Sequence, residues 1–448
     1  MELESKNNYL FTNKNLMALV FPLMVEQLLA VAVGLADSIM VASAGESAVS
    51  AVSLVDAISL LLINIFAALA TGGAVVAGQY LGQNRSDEAC KAGEQLVVYV
   101  TFISVVIMAI MYISRGFILN VVFGGIGPDV AAQANMYMLI VFASIPSIAI
   151  YNSGAALFRA TGNSKITMFI SIIMNAINVI GNAILIYGFH MGVVGAAIPT
   201  LISRTIAAII IIALLRNESL LIHISRPFHY KYDKKMVHNI LHLGIPNGVE
   251  NSMFQMGKIL LLSVVAGFGT ASITANAVGN IIASFEILPG ASIGLGLITV
   301  VSQCVGAGDY EQARYYTKKL LKFTYISLIF LNALIIIATP SILEIYHLSA
   351  VTAAMAKQVI IFHSINACII WPLSFTLPNT LRASNDVRFT MVVGVCSMWI
   401  FRIGFGILLA KYMNFGMFGV WVAMIIDWIV RSIFFTNRYR GHKWETIK

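Results

Sequence analysis

The chain has 448 residues, 59% of them hydrophobic and 11% charged, with a mean hydropathy of +0.86. That composition leaves no room for a sizeable aqueous domain and indicates a polytopic membrane protein. The net charge of +8 does not point to nucleic acid, because the basic residues are interleaved with apolar segments in the way membrane topology requires.

The amino terminus, MELESKNNYLFTNKN, has no compact apolar core followed by a small-residue cleavage site. The first span is therefore expected to stay in the protein. That span, residues 16–41, carries two carboxylates, Glu26 and Asp37. Roughly 20 apolar residues cross a bilayer, and an ionisable group near its centre costs about 2.5–3.5 kcal/mol on insertion scales. Glu26 and Asp37 are eleven positions apart, so they share one helical face, about 16 Å apart in height. Pro22 lies four residues before Glu26 and frees the carbonyl of Ala18, so a kink and a hinge are expected there.

Further apolar segments follow at residues 52–81, 95–114, 131–157, 166–187 and 193–215, then at 240–268, 273–305, 320–338, 355–377, 389–412 and 417–435. With the first, these make twelve predicted transmembrane helices and an all-α polytopic fold. The polar, basic stretch 216–239 separates a six-helix lobe at 1–215 from a second at 240–448.

The halves repeat one another. Pro246 and Glu250 lie 224 residues after Pro22 and Glu26, and the same offset joins Gly45 to Gly269, Gln79 to Gln303, Gly82 to Gly306, Gly192 to Gly416 and Gly195 to Gly419. Arg159 and Arg382 are 223 apart. An even number of spans per half makes the repeat parallel, with a pseudo-twofold axis along the membrane normal and a V-shaped cavity between two bundles. Pro246 is the second expected hinge.

Lys and Arg concentrate on one side: Lys6 and Lys14 at the start, Arg85, Lys91, Arg159 and Lys165 in alternate loops, Arg216, Arg226, Lys231, Lys234 and Lys235 in the linker. Arg314, Lys318, Lys319, Lys322, Arg382, Arg388, Arg438, Arg440, Lys443 and Lys448 continue it, against Arg115, Lys357 and Lys411 opposite. Both termini and the linker are thus expected in the cytoplasm, and the chain in the plasma (inner) membrane.

Several polar residues lie inside spans. Asn175, Asn178 and Asn182 fall on one face of the fifth helix, suited either to packing or to a cation or proton pocket facing Glu26 or Asp37. Asp56 and Asn64 share a face of the second helix. In the second half Glu250, Lys258 and Glu286 are intramembrane, Arg402 stands where Asn178 does in the first repeat, and Asp427 and Arg431 form an i, i+4 pair. Arg402 has no acid on its own helix, so Glu250, Glu286 or Asp427 must supply one. Gly72, Gly73, Gly78, Gly294 and Gly296 suit close helix packing.

No phosphate-cradling glycine loop, nucleophile constellation or paired-His motif is present, and an enzyme is not expected. The eight histidines are scattered, mostly near loops. The four cysteines, Cys90, Cys304, Cys368 and Cys396, have no metal spacing and indicate neither zinc nor disulfides.

The segments EQLLAVAVGLADSIMVASAGE, QYLGQ with QCVGAGD, RATGN with RASND, and GVVGAA with GMFGVW resemble the multidrug and toxic compound extrusion (MATE) family, within the wider multidrug/oligosaccharidyl-lipid/polysaccharide exporter superfamily. The resemblance spans both halves. It implies twelve helices in two lobes and export of organic, often cationic compounds or drugs in exchange for sodium or protons. The family's first-helix acid falls on Asp37, and its fifth-helix polar pair on Asn178 and Asn182. In proton-linked archaeal-type members the second position is aspartate, and this chain departs from them at Asn182.

A lipid-linked oligosaccharide flippase of the same superfamily is the alternative; it would favour a strongly cationic cavity to hold pyrophosphate. For the coupling ion, a proton carrier needs a titratable group, which Glu26, Asp37 or Glu250 supplies and Asn178 and Asn182 do not. One carboxylate with amide or backbone oxygens suits sodium, and Asn247 shares the face of Glu250. Sodium coupling is the favoured expectation, with no other cofactor. The expected partners are small organic cations, the coupling ion and the bilayer, around a monomer.

Overall fold

The computed structural model describes residues 9–124, 126–225 and 230–447. Lys6, Arg226, His229 and Lys448, included above, lie outside these residues. All twelve apolar segments are helical, and no strand occurs among the described residues. They are α1 (Asn13–Ala42), α2 (Glu46–Gly82), α3 (Ser86–Ile113), α4 (Pro128–Ala143 with Ile145–Ala160), α5 (Ser164–Gly188) and α6 (Gly192–Leu215). The second set is α7 (Lys234–Ala266), α8 (Thr270–Glu286 with Leu288–Gly306), α9 (Tyr310–Ile345), α10 (Ala350–Ile369 with Pro372–Ala383), α11 (Val387–Tyr412) and α12 (Gly416–Arg440).

By length and composition nine helices among the described residues can cross a membrane, and the bent pairs α4 and α10 raise that to eleven. α7 runs for 33 residues but interrupts its apolar surface with Asn247, Glu250, Asn251, Gln255 and Lys258. The bends of 42° in α4 and 62° in α10 fall at Ser144 and at Ile370–Trp371. Pro146 and Pro372 follow them directly and withdraw the N–H that would continue the helical ladder.

The repeat extends to local backbone. Gly45 and Gly269 take φ of 107° and 89° at the equivalent turns before α2 and α8, a region that favours glycine. π-Helical turns occupy Ile184–Gly188 and Leu408–Tyr412, again 224 residues apart. Another, Met398–Gly404, has no counterpart in the first repeat among the described residues. It lies between Arg382, where the offset is 223, and Gly416, where it is 224, and a π-turn is the way a helix absorbs one inserted residue.

The chain packs as two compact units. One is Phe21–Gly248; the other is Val249–Lys448 with the chain up to Val20. Both boundaries fall inside continuous helices, α1 and α7, within a turn of Pro22 and Pro246.

In the unit Phe21–Gly248, α2 approaches the start of α7 so closely that a Cβ on Gly72 would lie 2.7 Å from Ile240 O and Gly244 N. Glycine there permits backbone-to-backbone packing. The described linker is fastened to α3: Gln95 Nε2 donates to Lys231 O at 2.6 Å, Tyr230 Oη to Gln95 Oε1 at 2.8 Å, and Ser225 N to Glu94 at 2.9 Å.

The other unit is built on an apolar core of Trp371, Trp421, Trp428, Met398, Val359 and Ile360. Its α9 is capped by Asp309, whose side chain accepts from Gln312 N at 2.9 Å. Basic residues at its edge are paired: Arg438 with Asp386 at 2.7 Å and Arg314 with Glu445 at 2.7 Å.

Candidate functional site

In the unit Phe21–Gly248, α1, α2, α4, α5 and α6 enclose a cavity of about 140 Å³ lined by Asp37, Asp56, Tyr137, Asn182 and Thr200. Asn182 Nδ2 donates to Asp37 Oδ1 at 2.8 Å. The Asn182 amide oxygen is buried and has no hydrogen-bond partner among the described residues. Asn178, one turn earlier, adopts one of two amide orientations, and its partners decide between them. With nitrogen toward Asp37 it donates to the carboxylate at 3.0 and 3.1 Å, and its oxygen lies 3.0 Å from Thr200 Oγ1. The opposite orientation turns nitrogen to Thr200 and oxygen to Asp37. In that orientation Asn182 Nδ2 donates to the Asn178 oxygen at 3.5 Å, and a shared proton or cation would relieve the opposition of that oxygen and the carboxylate.

Asp56 accepts from Tyr137 Oη at 3.1 Å. Arg204, in the middle of α6, donates to Ser144 Oγ at 2.9 Å, and its charge acts on both Asp37 and Asp56. Sequence reasoning missed Arg204, Tyr137 and Thr200. An arginine inside the apolar run LISRTIAAII was signal enough, since such a charge requires a partner.

Glu26 belongs to a different cluster from Asp37, although both project from α1. Its buried carboxylate accepts from Arg159 Nη1 at 3.3 Å and from Thr167 Oγ1 at 3.0 Å. Asn175, expected with the other amides, donates instead to Ser171 Oγ at 3.2 Å. The structure thus brings Asn178 and Asn182, but not Asn175 or Glu26, to Asp37.

In the other unit Glu250 accepts from Arg382 Nη2 through both oxygens at 2.8 Å. Arg431 Nη1 lies 3.9 Å from the same carboxylate, while its Nε donates to Asp427 at 2.9 Å. Ser397 donates to Asp427 as well. Arg402 takes Asp427 as its acid, at 3.8 Å. Glu286 is fully buried and bonds to His363 Nδ1 and, at 2.8 Å, to Ser364 Oγ. His363, grouped above with histidines near loops, is thus a buried intramembrane residue; its ring packs edge-on against Trp421 and Trp428. Glu26 and Glu250, expected as further cation sites, are each paired with an arginine here, whereas the hydrogen-bond donors that meet Asp37 among the described residues are amides.

Lys258 forms no ion pair among the described residues and stands over the Phe254 ring at 5.3 Å. It shares with Arg402 a cavity of about 320 Å³.

Sequence comparison matches the MatE family pattern twice, over residues 22–184 and 246–408, which begin at Pro22 and Pro246. The chain is similar to the uncharacterized transporter YisQ of Bacillus subtilis, with 26% identity over 96% of this chain and 94% of that protein. It is also similar to the probable multidrug resistance protein NorM of Thermotoga maritima, with 24% identity over 96% and 93%. Among solved structures, a MATE crystal structure in the straight conformation superposes with a TM-score of 0.89 at 19% identity, covering 97% of both chains. An outward-facing multidrug resistance MATE transporter superposes with a TM-score of 0.88 over 97% of both. With both repeats matched over well more than half its length, the chain belongs to the MatE family.

Proposed function

We propose that this chain is a secondary active multidrug efflux antiporter that exports organic, often cationic compounds in exchange for sodium, with Asp37 as the ligand of the coupling ion. The observation that carries this reading is the arrangement at Asp37 among the described residues: a carboxylate without a basic partner in hydrogen-bond contact, two amides against it, and the buried unsatisfied oxygen of Asn182 beside it. Hard cations are held by oxygens, and Asp37, Asn178, Asn182 and Thr200 offer them from three helices. Without an ion, the amide nitrogens face the carboxylate and satisfy it. With one, rotation of Asn178 turns an oxygen inward. Protons compete for the same carboxylate, so ion uptake falls as pH is lowered.

The names of the relatives, multidrug resistance proteins among them, support export of small organic molecules. The concentration of Lys and Arg supports cytoplasmic termini in a plasma (inner) membrane protein. The position of Pro22 and Pro246, where the chain passes between its compact units, supports hinges there. The reading is for a monomer.

The test is efflux of ethidium from right-side-out membrane vesicles under an imposed inward sodium gradient. Efflux is expected to accelerate with the gradient and to persist when the pH gradient is dissipated. Efflux undiminished without sodium and lost with the pH gradient would overturn sodium coupling and make Asp37 a proton carrier.

A further inference from the structure

We propose that the unit containing Val249–Lys448 holds a second ligand site, a cavity that takes the anionic group, carboxylate or phosphate, of an amphipathic molecule between Lys258 and Arg402. The cavity is the internal duplicate of the one at Asp37. Lys258 stands 224 residues after Gly34, Leu261 after Asp37, Asn280 after Asp56 and Arg402 after Asn178, and all eight positions belong to the two cavities or their amide partners. Duplication has therefore been followed by exchange of charge. Both carboxylates of the first cavity are replaced by neutral side chains, and two of its neutral positions by cations.

The cations are under-compensated. Asp427 is shared by Arg431 at 2.9 Å and Arg402 at 3.8 Å, and Glu250 is taken by Arg382. Four cations, Lys258, Arg402, Arg431 and Arg382, thus face two carboxylates, Asp427 and Glu250. Among the described residues the Lys258 ammonium has neither carboxylate nor hydrogen-bond acceptor, only the face of Phe254. An uncompensated ammonium inside a membrane protein is costly, and a bound anion supplies the missing charge.

Two neutral amides, Asn276 and Asn280, line the cavity; the Asn280 nitrogen donates to the Asn276 backbone carbonyl at 2.8 Å, and Asn276 fits the sign of the cations. Asn276 spends its amide oxygen on Trp421 Nε1, at 3.1 Å, which leaves its nitrogen as the donor. The walls include Trp421, Met424, Leu262 and Val265, and about 320 Å³ admits a compact aromatic or aliphatic body. An apolar wall with donors and cations at one end selects an amphipathic anion or a zwitterion presenting its acid.

The site does not rest on the coupling role of Asp37, and the experiment needs no gradient. The purified full chain in phosphatidylcholine nanodiscs is titrated by equilibrium dialysis with 2-naphthoate and with 2-naphthylmethylammonium, which share an apolar body and differ in charge. Wild type is expected to bind naphthoate at least tenfold more tightly, and the Asp37→Asn variant to do the same. Lys258→Gln should weaken naphthoate at least tenfold, Lys258→Arg should retain it, and Lys258→Glu should invert the preference. Repeating the titration with phosphatidylglycerol in the disc identifies the source: a Lys258-dependent loss of naphthoate affinity makes the occupant a lipid phosphate, and unchanged affinity makes it a free organic anion. Equal binding of the two probes by wild type, which requires no variant to fold, or undiminished naphthoate binding by a folded Lys258→Gln chain, would overturn the proposal.

Discussion

Arg382 holds Glu250 through both carboxylate oxygens at 2.8 Å. The first repeat makes the same pair between Arg159 and Glu26, at 3.3 Å. Each acid lies four residues after a helix proline and each arginine opens a RATGN or RASND segment, so the duplication preserved the pair and not merely its members. Both pairs are largely buried, where removing one partner strands the other charge at a cost of about 3–5 kcal/mol. Arg382→Met and Glu250→Gln are each expected to lower resistance to detergent-induced unfolding by that order, while the double variant loses less than the sum. A double variant that loses the full sum would show the two groups to be independent.

Gly394 makes this pair possible. A Cβ there would lie 2.5 Å from Glu250 Oε1 and 2.8 Å from its Cδ, and the same residue's carbonyl accepts from Arg431 Nη2 at 2.9 Å. Gly394→Ala must displace the carboxylate from Arg382 and should destabilise the chain by about 1–3 kcal/mol. Thermal unfolding of purified protein measures it, and an unchanged midpoint would contradict the packing described.

Topology has its own test. In a chain whose four cysteines are replaced by serine, a cysteine at Lys234 should react with an impermeant thiol reagent only in inverted membranes. One at Asn414 should react only in intact cells. The reverse pattern would refute cytoplasmic termini.

Much of this was legible in the residues. Offsets of 224 and 223 gave the repeat, and their change between Arg382 and Gly416 corresponds to the π-helical turn Met398–Gly404. Helical spacing put Asn178 and Asn182 on one face, and the structure sets that face against Asp37. What spacing does not contain is the identity of the neighbouring helix. Glu26 and Asp37 share a face of α1 yet have unrelated partners, because at different depths α1 meets different side chains. Asn175 is equally in phase and still turns to Ser171. The pairing of Glu26 with Arg159 is recoverable from the sequence, since the acids recur at an offset of 224 and the arginines at 223, but a position near a helix end makes an arginine look like an ordinary loop charge. His363 went unrecognised because a lone histidine carries no periodicity, and only the fold sets it against Glu286.

If Glu26 serves its ion pair and Asp37 the ion, the two acids separate by readout. Glu26→Gln should weaken efflux strongly with a matching loss of thermal stability. Asp37→Asn should abolish coupled efflux in a chain that inserts and folds normally. Equal stability losses in both variants would leave no special role for Asp37.

The most direct measurement is equilibrium binding of radioactive sodium to the purified chain and to its Asp37→Asn variant at neutral pH, without drug. The account predicts saturable binding near one ion per chain in wild type, competition by protons as pH is lowered, and at least a tenfold loss of affinity in Asp37→Asn. Sodium binding by a folded Asp37→Asn chain equal to that of wild type would contradict it.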